Sequence, residues 1–479
     1  MSIINNMPVK GGMDINGLIQ EYYVYAGENI SAGSFVEFIE GIGSETIATS
    51  SRFIVDDTSS KRTLAWYIDA IALDNNRVFI AYSSLNSYTP EDYRLKGIVL
   101  TINGVTIEKG VMVIIESIFR TGSDGIKLKL LDNNKVLVFY TRTEKIQNSS
   151  GTYTSSDSMG YTDLTISGTT ITVGSVKVLI SGNVDEFDIT EISSTKMFIS
   201  FALDWKLYAS VLTISETSVS KSSNVALSST AYSGTGVNNS LFPNGNIIVS
   251  HRYPAENYGV GCIIVSISGT SISKGTDTEI SQEGCDSHFK VIALSDTKAF
   301  IVYPGNSTDC MFGKVLTVSG RSITSQGTST QLDNQAGYDE EVPRILNFSE
   351  GKLLILYRDS SPYILRQLVV SISNSDAITV DTAETLVEDI GGTCTIPIPI
   401  QDNMLIIGAT YNYLYLWGQV FDIDYENNRL TNQVLLSTNY ETQVRNTTTN
   451  TPNGVAKVGG EGGSSTLHKD KITIYVPDI

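Results

Sequence analysis

Histidine is nearly missing from this chain. There are three in 479 residues, His251, His288 and His468, and their placement excludes an HExxH metal helix. Cysteine is almost as scarce. Cys262, Cys285, Cys310 and Cys394 form no CxxC pair, so they read as reduced core residues rather than a disulfide framework. The one Cys/His neighbourhood, CDSHF at 285–289, has no second pair to complete a zinc shell. Neither a metal nor another cofactor is expected. Apolar runs such as VMVII at 111–115 fall far short of the roughly 20 residues that span a bilayer. The opening MSIINNMPVKGG lacks the charged and apolar regions of a secretory signal. Synthesis in a cytoplasm is therefore expected, with release by lysis as the route outside a cell.

Charge is also sparse. Charged residues make up 18% of the chain, against roughly 25% in ordinary globular proteins. The net charge of −18 repels a phosphate backbone and disfavours nucleic acid as a partner. Among catalytic signatures, the sialidase Asp box S-x-D-x-G-x-x-W, the phosphate loop and the GxSxG elbow are all missing. No stretch keeps a helical period over a helix's length.

What fills the chain instead is Ser, Thr, Asn and Gly between short apolar segments, and those segments repeat. DNNRVFIAYS at 74–83 recurs as DNNKVLVFYT, SSTKMFISFA, PNGNIIVSHR, SDTKAFIVYP, SEGKLLILYR and QDNMLIIGAT. Anchored on Val78, Val136, Met197, Ile247, Ala299, Leu353 and Met404, the spacings are 58, 61, 50, 52, 54 and 51. A second phrase follows each first one, as in GIVLTINGVTIEKG at 97–110 and GCIIVSISGTSISKG at 261–275. It reads as strand, two-residue turn, strand. Asn103-Gly104, Ser167-Gly168, Ser268-Gly269 and Ser319-Gly320 suit a primed hairpin turn, which needs positive φ. A further apolar strand, such as YIDAIAL at 67–73, precedes most first phrases.

Four antiparallel strands per unit of about 54 residues describe a propeller blade, close to the kelch period of roughly 50. The expected fold is all-β, a seven-bladed propeller over 51–439. Two stacked sandwiches are the alternative, but they require no fixed period. Segments 1–50 and 440–479 do not match the repeat. A closed ring brings its ends together, and SFVEFI and KITIYV alternate like strands. The two segments are therefore expected to build one small β-domain with the propeller inserted into it.

The blade text ALDNNRVFIAYS … LKGIVLTINGVTIEKG resembles repeat proteins encoded by phages and prophages of Gram-positive bacteria. The flanks, EYYVYAGENISAGSFVEF and NGVAKVGGEGG…ITIYVP, resemble the same proteins and small β-domains that attach to phage capsids. The resemblance covers nearly the whole chain and rests on pattern, not on invariant chemistry. It implies a virion component made in the host bacterium, present in many copies per particle. It would be a head fibre, capsid decoration or tail fibre, held to other virion proteins by the terminal β-domain and meeting a host surface glycan or protein.

Variable turns fall between the second and third strands of each unit, and they carry the aromatics. Tyr88, Tyr93, Tyr153, Trp205, Tyr253, Tyr258, Tyr363, Tyr411 and Tyr413 are the candidate ligand-binding residues. Tyr and Trp join an apolar ring to a polar tip, which suits sugar or protein recognition. In a meander these turns share one face with the connections between blades, and the tight turns share the other. Tyr208, Tyr258, Tyr415 and Trp417 also fit as filling between blades. Carboxylates cluster in NVDEFD at 183–188 and GYDEEVPR at 337–344. A glycan-processing propeller would need such groups about 5–10 Å apart in one pocket. Acidic residues of this kind are read here as solvated, no catalytic residue is assigned, and a non-enzymatic binding protein is expected. A purely structural decoration without a ligand is the other reading.

Overall fold

The computed structural model describes 36–37, 47–49, 53–57, most of 67–432, 434–436 and 445–446. Within 67–432, the segments 89–90, 118–124, 148–152, 229–235, 254–258, 283–288, 306–309, 335–342, 360–363, 388–395 and 410–414 fall outside the description, with a few single residues and dipeptides. Contacts divide the chain into two units, Arg52–Thr431 and the pair Met1–Ser51 with Asn432–Ile479. In the second unit, Val36–Glu37 pairs with Arg445–Asn446 and Ile47–Thr49 with Val434–Leu436, both antiparallel.

The larger unit is a seven-bladed propeller, and its described residues contain no helix. Each blade is an antiparallel sheet of order a-b-c-d. In blade I these strands are Ile68–Ala72, Arg77–Tyr88, Glu91–Asn103 and Thr106–Lys109. The fourth strand is broken rather than continuous. After Thr106–Lys109, a second piece, Val113–Glu116, returns to the same edge of strand c. Every blade has this split outer strand, so the sheets contain five strand segments where four strands were expected.

Strand b explains the first repeated phrase. Val78, Phe79, Ile80, Ala81 and Tyr82 are all fully buried, because this strand packs against a neighbouring blade on both faces. Hence it reads as a continuous apolar run instead of an alternation. Seven apolar clusters result, one at each interface between blades, including one that joins Ile398, Leu405 and Ile407 of blade VII to Val78, Ile80 and Ile98 of blade I. The ring is closed.

The second phrase often begins with glycine for a packing reason. A Cβ on Gly97 would lie 2.9 Å from Phe79 Cε2, and one on Gly313 would lie 2.7 Å from Phe300 Cζ. The missing side chain lets the strand-b ring lie across strand c. The c–d turns are as the dipeptides demand: Gly104, Gly168, Gly269 and Gly320 have φ of 61°, 60°, 66° and 58°.

The polar residue just before the anchor also has a use in four of the blades. Arg77 Nη1 donates to Gly168 O at 2.9 Å, Lys196 Nζ to Gly269 O at 3.2 Å, and Lys298 Nζ to Asn374 O at 3.3 Å. In blade IV the equivalent Asn246 donates to Gly320 O at 3.3 Å. Each reaches the c–d turn of the next blade, so the tight-turn face is cross-stitched by exposed bonds of modest individual strength.

Blade VII is made from both ends of the repeat region. Its strands are Ile396–Ile400, Asn403–Ala409, Tyr415–Asp424 and Arg429–Asn432, and the second outer piece is Phe53–Asp57 from before blade I. Phe53 pairs with Gly418 and Ile54 with Trp417, where blade I pairs its own Val113 with Gly97. The chain's own early strand thus seals the ring.

Candidate functional site

The connections between blades and the b–c turns lie on one face, as the meander requires. Strand b runs ten residues past its anchor in blade I, from Val78 to Tyr88, and eleven in blade II, from Val136 to Gln147. It runs only six in blade III, from Met197 to Leu203. Tyr88, Tyr93 and Tyr153 are therefore strand residues on long hairpins, not loop residues: Tyr88 pairs with Glu91, Leu85 with Tyr93, and Tyr153 with Gln147. The strand alternation simply continues into text that reads as a loop. Tyr258, Tyr363, Tyr411 and Tyr413 lie outside the described residues.

Trp205 occupies a two-residue b–c turn. Leu203 pairs with Lys206, so Asp204 and Trp205 alone make the turn. Their φ values are 49° and 64°. Both are left-handed, as a type I′ turn requires, yet Asn-Gly is the usual filling. Asp tolerates this region, but a Trp there costs about 1–2 kcal/mol. The indole is 56% exposed, so no burial compensates for the strain.

Tyr253 sits at the end of strand b in blade IV, half-buried, with its ring 6.3 Å from that of His251. Burial raises its phenol above the ordinary range, and the nearby Asp277 and Glu279 carboxylates add to this. It stays a neutral hydroxyl. His251 is itself fully buried, with Nε2 3.0 Å from Asp277 Oδ1 and Nδ1 3.0 Å from Arg252 O. That pair belongs to the packing of the blade. So do Trp417, which is buried, and Tyr208, which stacks on Phe201 at 6.0 Å. Cys262 and Cys310 are buried thiols.

The acidic text at 183–188 is not a solvated loop. It forms the innermost strand of blade III, and Glu186 and Asp188 are buried. Glu186 accepts from Gly236 N, and Asp188 Oδ2 accepts from Asn239 N at 2.7 Å, both in the approach to or start of blade IV. Asp69 of blade I does the same for Leu128 N of blade II at 2.7 Å. These carboxylates supply the acceptors that adjoining inner strands, not hydrogen-bonded to each other, would otherwise lack.

Strand register puts further charges at one level near the axis. Asp69, Lys127, Asp188, Asn238, Lys290, Arg344 and Ile396 each pair with the residue three after the strand-b anchor of their own blade. Lys127 Nζ lies 2.9 Å from Asp188 Oδ1. Burial pushes the Asp188 carboxyl up, but Lys127, Lys290 and the Asn239 amide outweigh it and hold it below the usual range. Burial lowers Lys127, and Asp188 and Asp69 outweigh that in turn, raising it. For Asp69 burial wins over Lys127 and its two amides, and its carboxyl is raised.

A groove of about 390 Å³ opens on the same face between blades V and VI, lined by Gln331, Asp333, Asn334, Arg366, Thr382 and Ala383. Arg366 Nε donates to Asp359 Oδ2 at 2.7 Å, and Asp359 is buried. Tyr357 OH donates to Asp333 Oδ2, with burial and Asp333 together raising its pKa. Sequence reasoning missed this cluster, because its members come from separate strands with no shared motif. Among the described residues, no three His, Cys, Asp or Glu side chains are grouped to hold a metal ion.

No protein-family model matches the chain, and no curated protein matches it. Solved structures resemble it in shape. The BP39L lectin of Burkholderia pseudomallei is 8% identical, with a TM-score of 0.54 over 77% of this chain and 96% of that one. A mutant NanB sialidase of Streptococcus pneumoniae is 10% identical over 79% of this chain and 70% of that one, with a TM-score of 0.45. A mutant of AofleA from Arthrobotrys oligospora is 8% identical over 70% and 89%, with a TM-score of 0.42. At these identities the first match speaks for a shared ring architecture, and none speaks for a shared ligand.

Proposed function

We propose that the chain is a surface protein of a bacteriophage virion, and that it adheres to the host envelope through the face of the b–c turns. The carrying observation is Trp205. A large indole is held exposed in a strained turn that glycine would fill at lower cost, which is how backbone strain collects at binding positions. Tyr253 lies in the next blade on the same face. The virion assignment comes from the blade and flank text. The pairing of the two terminal segments with each other is consistent with a separate anchoring unit. A cell-surface glycan or protein is the partner, and many copies on a particle turn weak contacts into avidity. The enzymatic reading is disfavoured by the use made of the 183–188 carboxylates, whose Glu186 and Asp188 are buried and bonded to backbone amides.

The test is Trp205→Gly. Its turn should be as stable or more stable, by about 1 kcal/mol in a urea titration. Co-sedimentation with host envelope fragments should weaken about threefold to tenfold. A stabler variant that binds as well as the parent would remove the adhesive role and leave a structural decoration. The anchoring half is tested separately. Deleting 452–479 should leave the thermal transition of the ring in place and abolish incorporation into particles, scored by immunoblot of purified virions. Normal incorporation would refute it.

A further inference from the structure

We infer that the outer edge of blade I, at 111–114, is a contact between two copies of this chain, paired antiparallel about a twofold axis. This goes beyond the adhesive reading and does not depend on it.

The outer edge of a blade faces solvent and should read as polar or alternating text. Blade I breaks that rule. Val111 is 77% exposed, Met112 40% and Ile114 46%, within the unbroken apolar run VMVII at 111–115. Such a run is the text of a strand covered on both faces, as in strand b. The other blades supply a control inside the same molecule. Pairing with strand c sets Ile114 level with Ala226, Glu279, Gln331 and Thr385 of blades III to VI. Two residues earlier, Met112 is matched by Asn224, Asp277, Ser329 and Ala383. No side chain larger than alanine is apolar at those places. Of blades II to VI, blade II alone shares the feature, with Val176 and Val178 exposed at the two matching positions.

The two apolar stretches adjoin. A Cβ on Gly160 would lie 3.4 Å from Arg142 Cδ and 3.8 Å from Val176 Cγ1, so Val176 sits beside Arg142. Arg142 Nε in turn lies 3.4 Å from Glu116 Oε2, at the end of the blade I piece. Among the described residues, Val113–Glu116 has a strand partner on one side only. Charge points to a second copy as the occupant. Two chains of −18 repel over most of their surface, but 109–115 holds one lysine and no acid. In blade II, Lys177 is matched by Asp163 at 3.0 Å. Two copies can therefore meet here without setting acid on acid. Parallel pairing would set Lys109 on Lys109, whereas antiparallel pairing carries each Lys109 to the far end of the other strand. Every copy exposes the same edge, and one twofold contact covers two of them at once. Five exposed apolar side chains are few against the roughly 20–30 residues a side of a standard interface, so the contact is weak.

The experiment is sedimentation velocity on the full chain over about 1–100 μM. The mass should move from monomer to dimer with a midpoint of about 10 μM. It should stop there, because a twofold contact is used up by two copies. Val111→Lys with Ile114→Lys should raise the midpoint about tenfold or more, by setting like charges across the contact. Both side chains are exposed, so the melting curve should stay that of the parent. Val178→Lys, on the adjoining blade, leaves the VMVII strand untouched and should raise the midpoint about threefold. Thr328 and Gln331 are the exposed residues at the matching places of blade V. Thr328→Lys with Gln331→Lys adds the same charge there and should leave the midpoint where it is. A chain that stays monomeric overturns the inference and leaves the edge to some other particle protein. A dimer that survives the lysines in blades I and II belongs to another surface and overturns it too. Growth past the dimer, or an equal loss in the blade V control, does the same.

Discussion

Asp188→Ala should destabilise the ring by about 3–5 kcal/mol at neutral pH, far more than any surface change. The substitution strands Lys127 without the carboxylate 2.9 Å away and removes the acceptor for Asn239 N at the same time. Lys127 is a quarter exposed and keeps Asp69 nearby, so the cost falls mainly on the lost contacts of the buried carboxylate; removing one member of such a pair is costly, whereas removing both is often tolerated. The double variant Lys127→Met with Asp188→Leu should therefore recover much of the loss, although the Asn239 amide remains without its acceptor. Urea titration of the four proteins measures this. A single variant within about 1 kcal/mol of the parent would show that the charges at the axis are well hydrated and matter little.

The pH dependence has opposite signs at the two axial carboxylates. Asp188 is held below its unfolded value, so its contribution is present above the unfolded carboxylate pKa, about 3.9. It is lost as pH falls through the lowered folded value. Asp69 is raised, so its contribution is full below about pH 3.9 and is lost as pH climbs through its folded value. Asp69→Asn should thus raise stability at neutral pH and cancel the gain that mild acid gives the parent. Lys127 is raised, so its term holds below about pH 10.4 and fades only in stronger alkali.

The second large effect concerns the seal. A chain beginning at residue 50 should keep the ring, and one beginning at residue 58 should not. The eight residues between them include Phe53–Asp57, the outer strand piece of blade VII. Without it, Tyr415–Asp424 loses half of its outer partner, and the apolar interface between blades VI and VII, with buried Trp417 and Phe421, borders on a bare strand edge. Four paired positions and a partly uncovered aromatic amount to about 3–6 kcal/mol. Differential scanning calorimetry of the two truncations decides it. If they melt together, the ring is closed by its apolar interfaces alone.

Much of this architecture is legible in the text because blades obey local rules. Asn103-Gly104 and its three counterparts announce turns that only positive φ can make, and the fixed spacing of apolar runs gives the number of blades. The split of the outer strand is not legible, since Gly110-Val111-Met112 reads like a strand that carries on. Nor is the strand at Phe53–Asp57, a lone piece whose partner lies more than 350 residues away. Arg77, Lys196, Asn246 and Lys298 look like solvated turn residues, because their acceptors are backbone carbonyls of the next blade. Asp188 misled for the same reason: side chains near the axis answer to neighbouring blades, not to neighbours in sequence. Of the candidate aromatics, Trp205 stands apart by its left-handed backbone and exposure, while Tyr88, Tyr93 and Tyr153 are recognisable only as strand positions.

The unequal hairpins have a consequence for what can be touched. Strand b in blades I and II extends four to five residues further beyond its anchor than in blade III, which at about 3.3 Å per residue is about 15 Å of extra height. The hairpins of blades I and II thus stand beside the lower ground of blade III that holds the Trp205 turn. A flat lattice laid against the protein would rest on those hairpins and never reach the indole. A polymer chain rising from the envelope could pass beside them and lie across the low side. For access to that indole, the relief between neighbouring blades would favour a protruding chain over a flat sheet.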